Sequence, residues 1–157
     1  MPEILLRPVA TVHNNRTKVI DDYWGGLVSE IALAPDFPDE SLDGIEDFSH
    51  LEIIYHFHLA GEGRTVSIVR RPRGLPHLPQ VGIFAQRNKD RPNHLGLTTV
   101  CLLRRAGRSL FVEGLDAVDG TPVLDIKPVM AEYQPKAPIR QPAWSHEILK
   151  DYWKAGT

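Results

Sequence analysis

The 157 residues suffice for one domain with a buried core, and their formal net charge of −2 gives no overall field that would attract a polyanion. No apolar run approaches the ~20 residues that cross a bilayer, and the first residues lack the basic flank and cleavage pattern of a secretory signal. The single cysteine, Cys101, excludes an internal disulfide and a zinc site built on several thiolates. We therefore expect a cytoplasmic protein that makes no membrane contact.

Short apolar stretches, rich in β-branched and aromatic residues, recur between the 13 prolines and 12 glycines. This pattern is typical of strands separated by turns. The predicted strands are residues 3–12, 26–34, 50–59, 65–69, 80–85, 95–103, 110–115 and 122–129. Two short helices are predicted at residues 39–45 and 145–154, the second with Ser145 as its cap. Three prolines between residues 134 and 143 indicate an extended arm.

The pattern as a whole predicts a mostly-β fold, with a small seven-stranded-type β-barrel or curled sheet, short helices and a C-terminal arm. We expect a barrel domain at residues 1–133, followed by the arm and a short helix at residues 134–157.

The loop at residues 82–98 carries six successive polar residues between two strands. Arg87 and Arg91 present paired donors that suit a carboxylate or a phosphate. A solvated surface loop in which Asn93 caps a turn explains the same residues. Both interpretations stay open on the sequence alone.

Two aspartates mark the next segment. Asp119 precedes Gly120 in a pair typical of tight turns, so it has a structural explanation. Asp116 has none, and its carboxylate could accept hydrogen bonds from ribose hydroxyls or from an ammonium group.

His56 and His58 alternate on a predicted strand and should face the same side, but no third ligand is spaced to join them, so no metal is expected. Arg64, Arg70, Arg71 and Arg73 form a basic, turn-rich segment, which suits phosphates or simply a solvated loop. The glycine-rich turn of a Rossmann-type nucleotide site is missing.

Six motifs follow in order along the chain. They are Gly-Leu-Val at residues 26–28, Gly-x-x-x-Phe-Ser-His-Leu at 44–51, Arg-Pro at 71–72, Gly-x-Phe-Ala-x-Arg at 82–87, Arg-Pro-Asn-x-x-Gly at 91–96 and Asp-Gly-Thr-Pro-Val-x-Asp-Ile-Lys-Pro at 119–128. With them the chain resembles the TsaA-like or TrmO family of S-adenosylmethionine-dependent tRNA (adenine-N6) methyltransferases. It departs from the family pattern at residues 13–15, at residues 88–89 and at His94.

The resemblance implies a homodimeric β-barrel, unlike Rossmann methyltransferases, with S-adenosyl-L-methionine as cofactor. The implied acceptor is N6 of a threonylcarbamoyl-modified adenosine next to the tRNA anticodon. The implied cofactor contacts are Tyr23, Trp24, Gly25, His58, Leu59, Arg87, Leu95, Leu97, Asp116, Ala117, Val118 and Asp119.

For catalysis we expect Arg91 and Asn93 to orient the acceptor and Asp125 or Asp119 to supply a carboxylate. An ion pair between Arg91 and one of these aspartates would be a structural alternative. Two other functions stay open. One is a non-catalytic module that binds S-adenosylmethionine or another adenosine ligand, and the other is a methyltransferase for a small molecule.

Overall fold

The structure, a computed structural model, describes residues 1–61 and 65–156. Its strands are β1 (Ala10–His13), β2 (Val28–Leu33), β3 (His50–His56), β4 (Val69–Arg70), β5 (Val81–Gly82), β6 (Leu95–Ala106), β7 (Ser109–Glu113) and β8 (Pro122–Pro128). One α-helix, α1 (Ala143–Leu149), follows them. Single 3-10 turns lie at Asp39–Leu42, Ile45–Asp47, Pro72–Gly74, Ile83–Ala85, Pro92–His94 and Ala131–Tyr133.

Six antiparallel strands close into a barrel in the order β1-β2-β7-β6-β3-β8, while β4 and β5 form a separate pair. Closure leaves these six strands without a free edge. The predicted mostly-β barrel with short helices is confirmed, although the barrel closes on six strands where the sequence suggested the seven-stranded type. No helix within the described residues has the length and apolar character needed to cross a bilayer.

Alternate residues of the strands fill the barrel, because successive side chains of a strand point to opposite faces. In β3, Leu51, Ile53 and Tyr55 are at most 1% exposed. Strand β3 pairs with β6 on one side and with β8 on the other, so that Tyr55 lies opposite Gly96 and Val123. The core therefore extends up to the end of β3, where the polar residues of the site begin.

Two predicted strands are wrong in part. The first strand begins at Ala10 instead of residue 3, because β2 ends there: Ala10 lies opposite Leu33, the last residue of β2, and its pairing with β8 stops at Val123. Of the predicted strand at residues 65–69, only Val69 is paired, and residues 65–68 have no strand partner within the described residues. Arg64 lies outside the described residues.

The two predicted helices also differ. Residues 39–47 form two separate 3-10 turns, because Gly44 between them has a φ of 82°. The C-terminal helix begins at Ala143 and ends at Leu149, so Ser145 lies inside it rather than at its cap. The Ser145 hydroxyl donates to the Pro142 carbonyl at 2.6 Å. Residues 134–142 contain neither helix nor strand, as expected for an arm.

The close approach of β3 and β6 gives a stability prediction. A Cβ at Gly96 would lie 2.4 Å from the ring of Tyr55, which is 1% exposed and cannot move away. Gly96→Ala should therefore lower the free energy of unfolding by about 1–3 kcal/mol, as overpacking does. Urea unfolding would measure the change.

Gly82→Ala is the matched control, because a Cβ there meets nothing closer than 4.0 Å and its φ is −63°. That variant should stay within about 0.5 kcal/mol of the wild type. Equal stability of the two variants would contradict the predicted contact between β3 and β6.

Candidate functional site

A cavity of about 1130 Å³ opens at the end of β3, large enough to enclose a ligand of nucleoside size. Loops from distant parts of the chain surround it, as is usual for a site on a β scaffold. Its walls come from residues 19–24, 55–60, 70–73, 84–93, 95–99, 116–121 and 141–153. Both candidate sequence segments, the polar loop and the segment after β7, therefore meet at one place.

Among the side chains that line this cavity, that of Asp116 accepts the most hydrogen bonds. Its Oδ1 accepts a hydrogen bond from the Tyr55 hydroxyl at 2.9 Å and another from the Thr98 hydroxyl. Its Oδ2 accepts from the Tyr152 hydroxyl. Hydrogen bonds to an ionised acceptor are stronger than neutral ones. A carboxylate has about four acceptor positions, so the three hydroxyls leave about one on Oδ2 for a ligand.

The two phenols of this cluster stay protonated at neutral pH. Burial raises the pKa of Tyr55 well above its usual range, and the negative charge of Asp116 raises it further. The pKa of Tyr152 is raised for the same two reasons, burial first. Both hydroxyls are therefore fixed as donors toward the carboxylate.

His58 also lines the cavity, whereas His56 does not. Strand β3 ends at His56, and the backbone then turns so that the His58 N–H donates to the His56 carbonyl at 2.8 Å. The predicted same-side arrangement is wrong for this reason, and the ring of His56 instead stands edge-on to His94 with centroids 6.1 Å apart. Burial lowers the pKa of His58, and neighbouring His56 lowers it further, which favours a neutral imidazole. Within the described residues, no three His, Cys, Asp or Glu side chains are grouped to hold a metal ion.

Arg16 organises the loop at residues 19–24. Its guanidinium donates to the carbonyls of Tyr23 at 2.7 Å, Ile20 at 2.9 Å and Asp22 at 2.6 Å. It also stacks on the Trp24 ring, 3.6 Å from the ring centroid. Trp24 is 5% exposed and lines the cavity. This loop therefore gives the cavity an aromatic wall, and the Arg16 guanidinium covers one face of the ring.

The polar loop at residues 82–98 forms the opposite wall. Arg91 donates to the Gln86 carbonyl at 2.8 Å, and Arg87 donates to the Leu97 carbonyl. The alternative ion pair of Arg91 is not formed, since within the described residues Asp119 contacts His13 and Asp125 pairs with Lys127. Asn93, with a φ of 64°, lies exposed at the rim. The loop lines the cavity, and several of its residues, Asn93 among them, are at the same time exposed to solvent.

Most of the sequence-predicted site residues line this cavity, and four do not. Those that do are Trp24, His58, Leu59, Arg87, Arg91, Asn93, Leu95, Leu97, Asp116, Ala117 and Val118. Tyr23 and Gly25 flank Trp24 without lining the cavity. Asp119 accepts from the Asn14 N–H at 3.1 Å, which anchors its turn to the end of β1. Asp125 lies on β8, 3.0 Å from the Lys127 amine and away from the cavity.

Sequence reasoning missed the three hydroxyls that hold Asp116. Tyr55 could have been suspected, because a buried tyrosine hydroxyl nearly always needs a partner. Thr98 and Tyr152 gave no comparable signal, and Tyr152 lies 36 residues from Asp116 along the chain.

The described arginines of the basic segment are bonded within the chain, two of them to carboxylates. Arg73 forms a two-point ion pair with Asp22 at 2.6 and 2.8 Å, and Arg70 lies 3.3 Å from Asp90. Arg71 donates to the Leu78 carbonyl. These arginines join the loops around the cavity mouth and do not form an open patch for phosphates.

Three comparisons place the chain among known proteins. The model of the tRNA-methyltransferase O N-terminal domain matches residues 22–134. A human protein named tRNA (adenine(37)-N6)-methyltransferase is 39% identical over 105 residues, covering 67% of this chain and 23% of its own length. A Pyrococcus abyssi protein named as a probable S-adenosyl-L-methionine-binding protein is 38% identical over 142 residues, covering 87% of this chain and 74% of its own.

Among solved structures, TrmO from Pseudomonas aeruginosa superposes with a TM-score of 0.74 at 25% identity, covering 92% of this chain and 62% of that one. The chain spans about a quarter of the length of the mammalian relatives that it matches, 22% for the mouse protein and 23% for the human one.

Proposed function

Because the chain belongs to the tRNA-methyltransferase O N-terminal domain family, we propose that it binds S-adenosyl-L-methionine and transfers the methyl group to N6 of an adenosine in tRNA. One observation carries the proposal: a carboxylate fixed by three hydroxyls lies in a cavity of about 1130 Å³ with an aromatic wall. That combination suits a ligand with a cationic end and a ribose.

The polar and aromatic side chains that line the cavity suit such a cofactor. The open acceptor position of Asp116 could take a ribose hydroxyl or the ammonium group. Trp24 lines the cavity, and the part of its indole ring that Arg16 leaves uncovered would attract a cation such as a sulfonium. Neutral His58 can donate or accept one hydrogen bond without adding a repulsive charge. When bound, the cofactor supplies an electrophilic methyl group.

The chain's own contribution to the reaction is mainly orientation. An amino group conjugated to adenine is a poor nucleophile, so its alignment with the methyl carbon matters, and alignment can contribute up to about 7–11 kcal/mol. Arg91 and Asn93 stand at the cavity wall and rim, where an acceptor base would enter. We assign to them the orientation of the acceptor, with the threonylcarbamoyl-modified adenosine next to the anticodon as its proposed identity.

Binding of the cofactor is the first test. Chelator-treated protein should bind S-adenosylmethionine in the micromolar range by calorimetry, because every group assigned to the ligand is a protein side chain. Absence of binding heat that returns on addition of zinc or magnesium would refute a metal-free site.

We also propose that the protein is a homodimer in the cytoplasm, where tRNA is found. Apolar side chains at the cavity rim support the dimer, since exposed groups of this kind mark interaction surfaces. Leu59 is 59% exposed, Phe84 80% and Trp153 51%. Light scattering should give a mass of two chains at micromolar concentration. A monomer that still binds the cofactor would contradict the dimer.

A second candidate is a module that holds S-adenosylmethionine without methyl transfer. It is favoured by two archaeal relatives, which this chain covers over 74% and 90% of their lengths and whose names mention binding alone. Binding without turnover in the presence of tRNA would support this candidate. Transfer to a small molecule in a survey with labelled cofactor would instead indicate a third class of acceptor.

A further inference from the structure

The C-terminal segment, residues 151–155, returns to the barrel and pairs with the loop that carries Trp24. The N–H of Tyr23 donates to the Asp151 carbonyl at 3.2 Å, and that of Trp24 donates to the Tyr152 carbonyl at 2.8 Å. Gly25 donates to the Lys154 carbonyl at 3.1 Å and forms an isolated bridge with Ala155. The segment lies beyond residue 134, where the match to the family model ends.

This contact is close enough to require a glycine. A Cβ on Gly25 would lie 2.0 Å from the carbonyl oxygen of Trp153, which is backbone and cannot rotate away. Gly25, by lacking a Cβ, therefore leaves the space that this segment occupies. Its docking is a specific fit of two backbones, not a loose contact of a chain end.

The C-terminal segment also reaches the chemistry of the cavity. The Tyr152 hydroxyl donates to Oδ2 of Asp116, while Tyr55 and Thr98 both donate to Oδ1. Bonds to Oδ1 alone leave the plane of the carboxylate free to turn, because the terminal torsion of an aspartate is broad. The bond at Oδ2 fixes that plane and with it the direction of the remaining acceptor position.

We propose that the C-terminal segment is a wall of the ligand cavity and that Tyr152 is a positioning residue, which orients the Asp116 carboxylate toward the bound ligand. The identity of that ligand rests on the proposed function. The bond between Tyr152 and Asp116 and the pairing with Trp24 do not.

The first experiment uses no ligand. Ultraviolet absorbance after a rapid jump to alkaline pH records phenol ionisation before the chain unfolds. Subtracting the absorbance change of Tyr152→Phe from that of the wild type leaves the signal of Tyr152. Its phenol should ionise well above the ordinary pKa of about 10. Tyr133→Phe is the control, because Tyr133 is 84% exposed. A Tyr152 that ionises together with Tyr133 would overturn the proposal, whatever the protein binds.

The second experiment compares Tyr152→Phe with Tyr152→Leu in binding of S-adenosylmethionine. If the hydroxyl positions Asp116, both variants should bind about five- to thirty-fold more weakly, the effect of one hydrogen bond to a charged group. Tyr152→Phe should keep the fold, with a stability lowered by no more than the loss of one hydrogen bond. If Tyr152 only packs, the phenylalanine variant binds like the wild type and only the leucine variant loses affinity.

These outcomes separate the two proposals. A wild type that binds no S-adenosylmethionine refutes the proposed function, while the ligand-free titration can still refute the bond between Tyr152 and Asp116. A wild type that binds, with a phenylalanine variant of equal affinity, refutes the positioning role alone.

Discussion

Asp116→Asn is expected to weaken binding of S-adenosylmethionine by about a hundredfold or more, which corresponds to about 2.7 kcal/mol. Asparagine keeps the shape of the side chain but removes the charge and replaces one acceptor oxygen with an amide donor. The Tyr55, Thr98 and Tyr152 hydroxyls would then face a donor at one position of their cluster. A cationic ligand would lose both its countercharge and its acceptor.

The fold should survive this change. Hydroxyls can turn to accept as well as donate, so part of the network can re-form, and we expect the free energy of unfolding to fall by about 1–2 kcal/mol. Asp36→Asn is the control, because it removes the same charge from an exposed side chain. Wild-type affinity in Asp116→Asn, measured by calorimetry beside this control, would show that Asp116 does not contact the cofactor.

Arg91→Lys should lower methyl transfer about ten- to a thousandfold, or about 1.4–4 kcal/mol in the transition state, with little change in cofactor affinity. Lysine keeps the charge but not the planar set of donors. In the structure one nitrogen of Arg91 donates to the Gln86 carbonyl at 2.8 Å, and the side chain lines the cavity. In the role that we propose, the remaining donors of Arg91 orient the acceptor.

A purely structural role of Arg91 gives a different result. Loss of the bond to Gln86 would loosen the loop, so the melting temperature and the cofactor affinity would fall together. Thermal stability, calorimetry and single-turnover transfer on the one variant distinguish the two roles. Wild-type turnover in Arg91→Lys would remove this residue from the site.

The sequence predicted the barrel strands well wherever a strand has neighbours on both sides. Strand β3 was predicted from its β-branched and aromatic content, and in the structure its residues alternate between buried and partly exposed from Leu51 to His56. Residues 3–8 have a similar apolar content but remain exposed, because β2 ends opposite Ala10 and β8 does not pair with them. Pairing is a long-range property, so local composition could not locate the start of β1.

The sequence motifs located the loops that line the site, but they did not predict the hydrogen bonds around Asp116. The turns at residues 82–98 and 116–121 carry the polar residues that motif spacing singles out, and both line the cavity. The prediction for Asp125 does not match the cavity wall, since its side chain pairs with Lys127 along β8. Tyr152 reaches Asp116 only because the chain end folds back across Gly25, a contact that no local pattern encodes.

Methyl transfer to tRNA tests the central claim most directly. The protein would be incubated with methyl-labelled S-adenosylmethionine and tRNA from cells that lack the gene, and the digested nucleosides would be identified by mass spectrometry. We predict one labelled adenosine derivative methylated at N6, formed by the wild type and strongly reduced with Asp116→Asn. Saturable binding of the cofactor without any labelled nucleoside would contradict the claim and leave a binding module in its place.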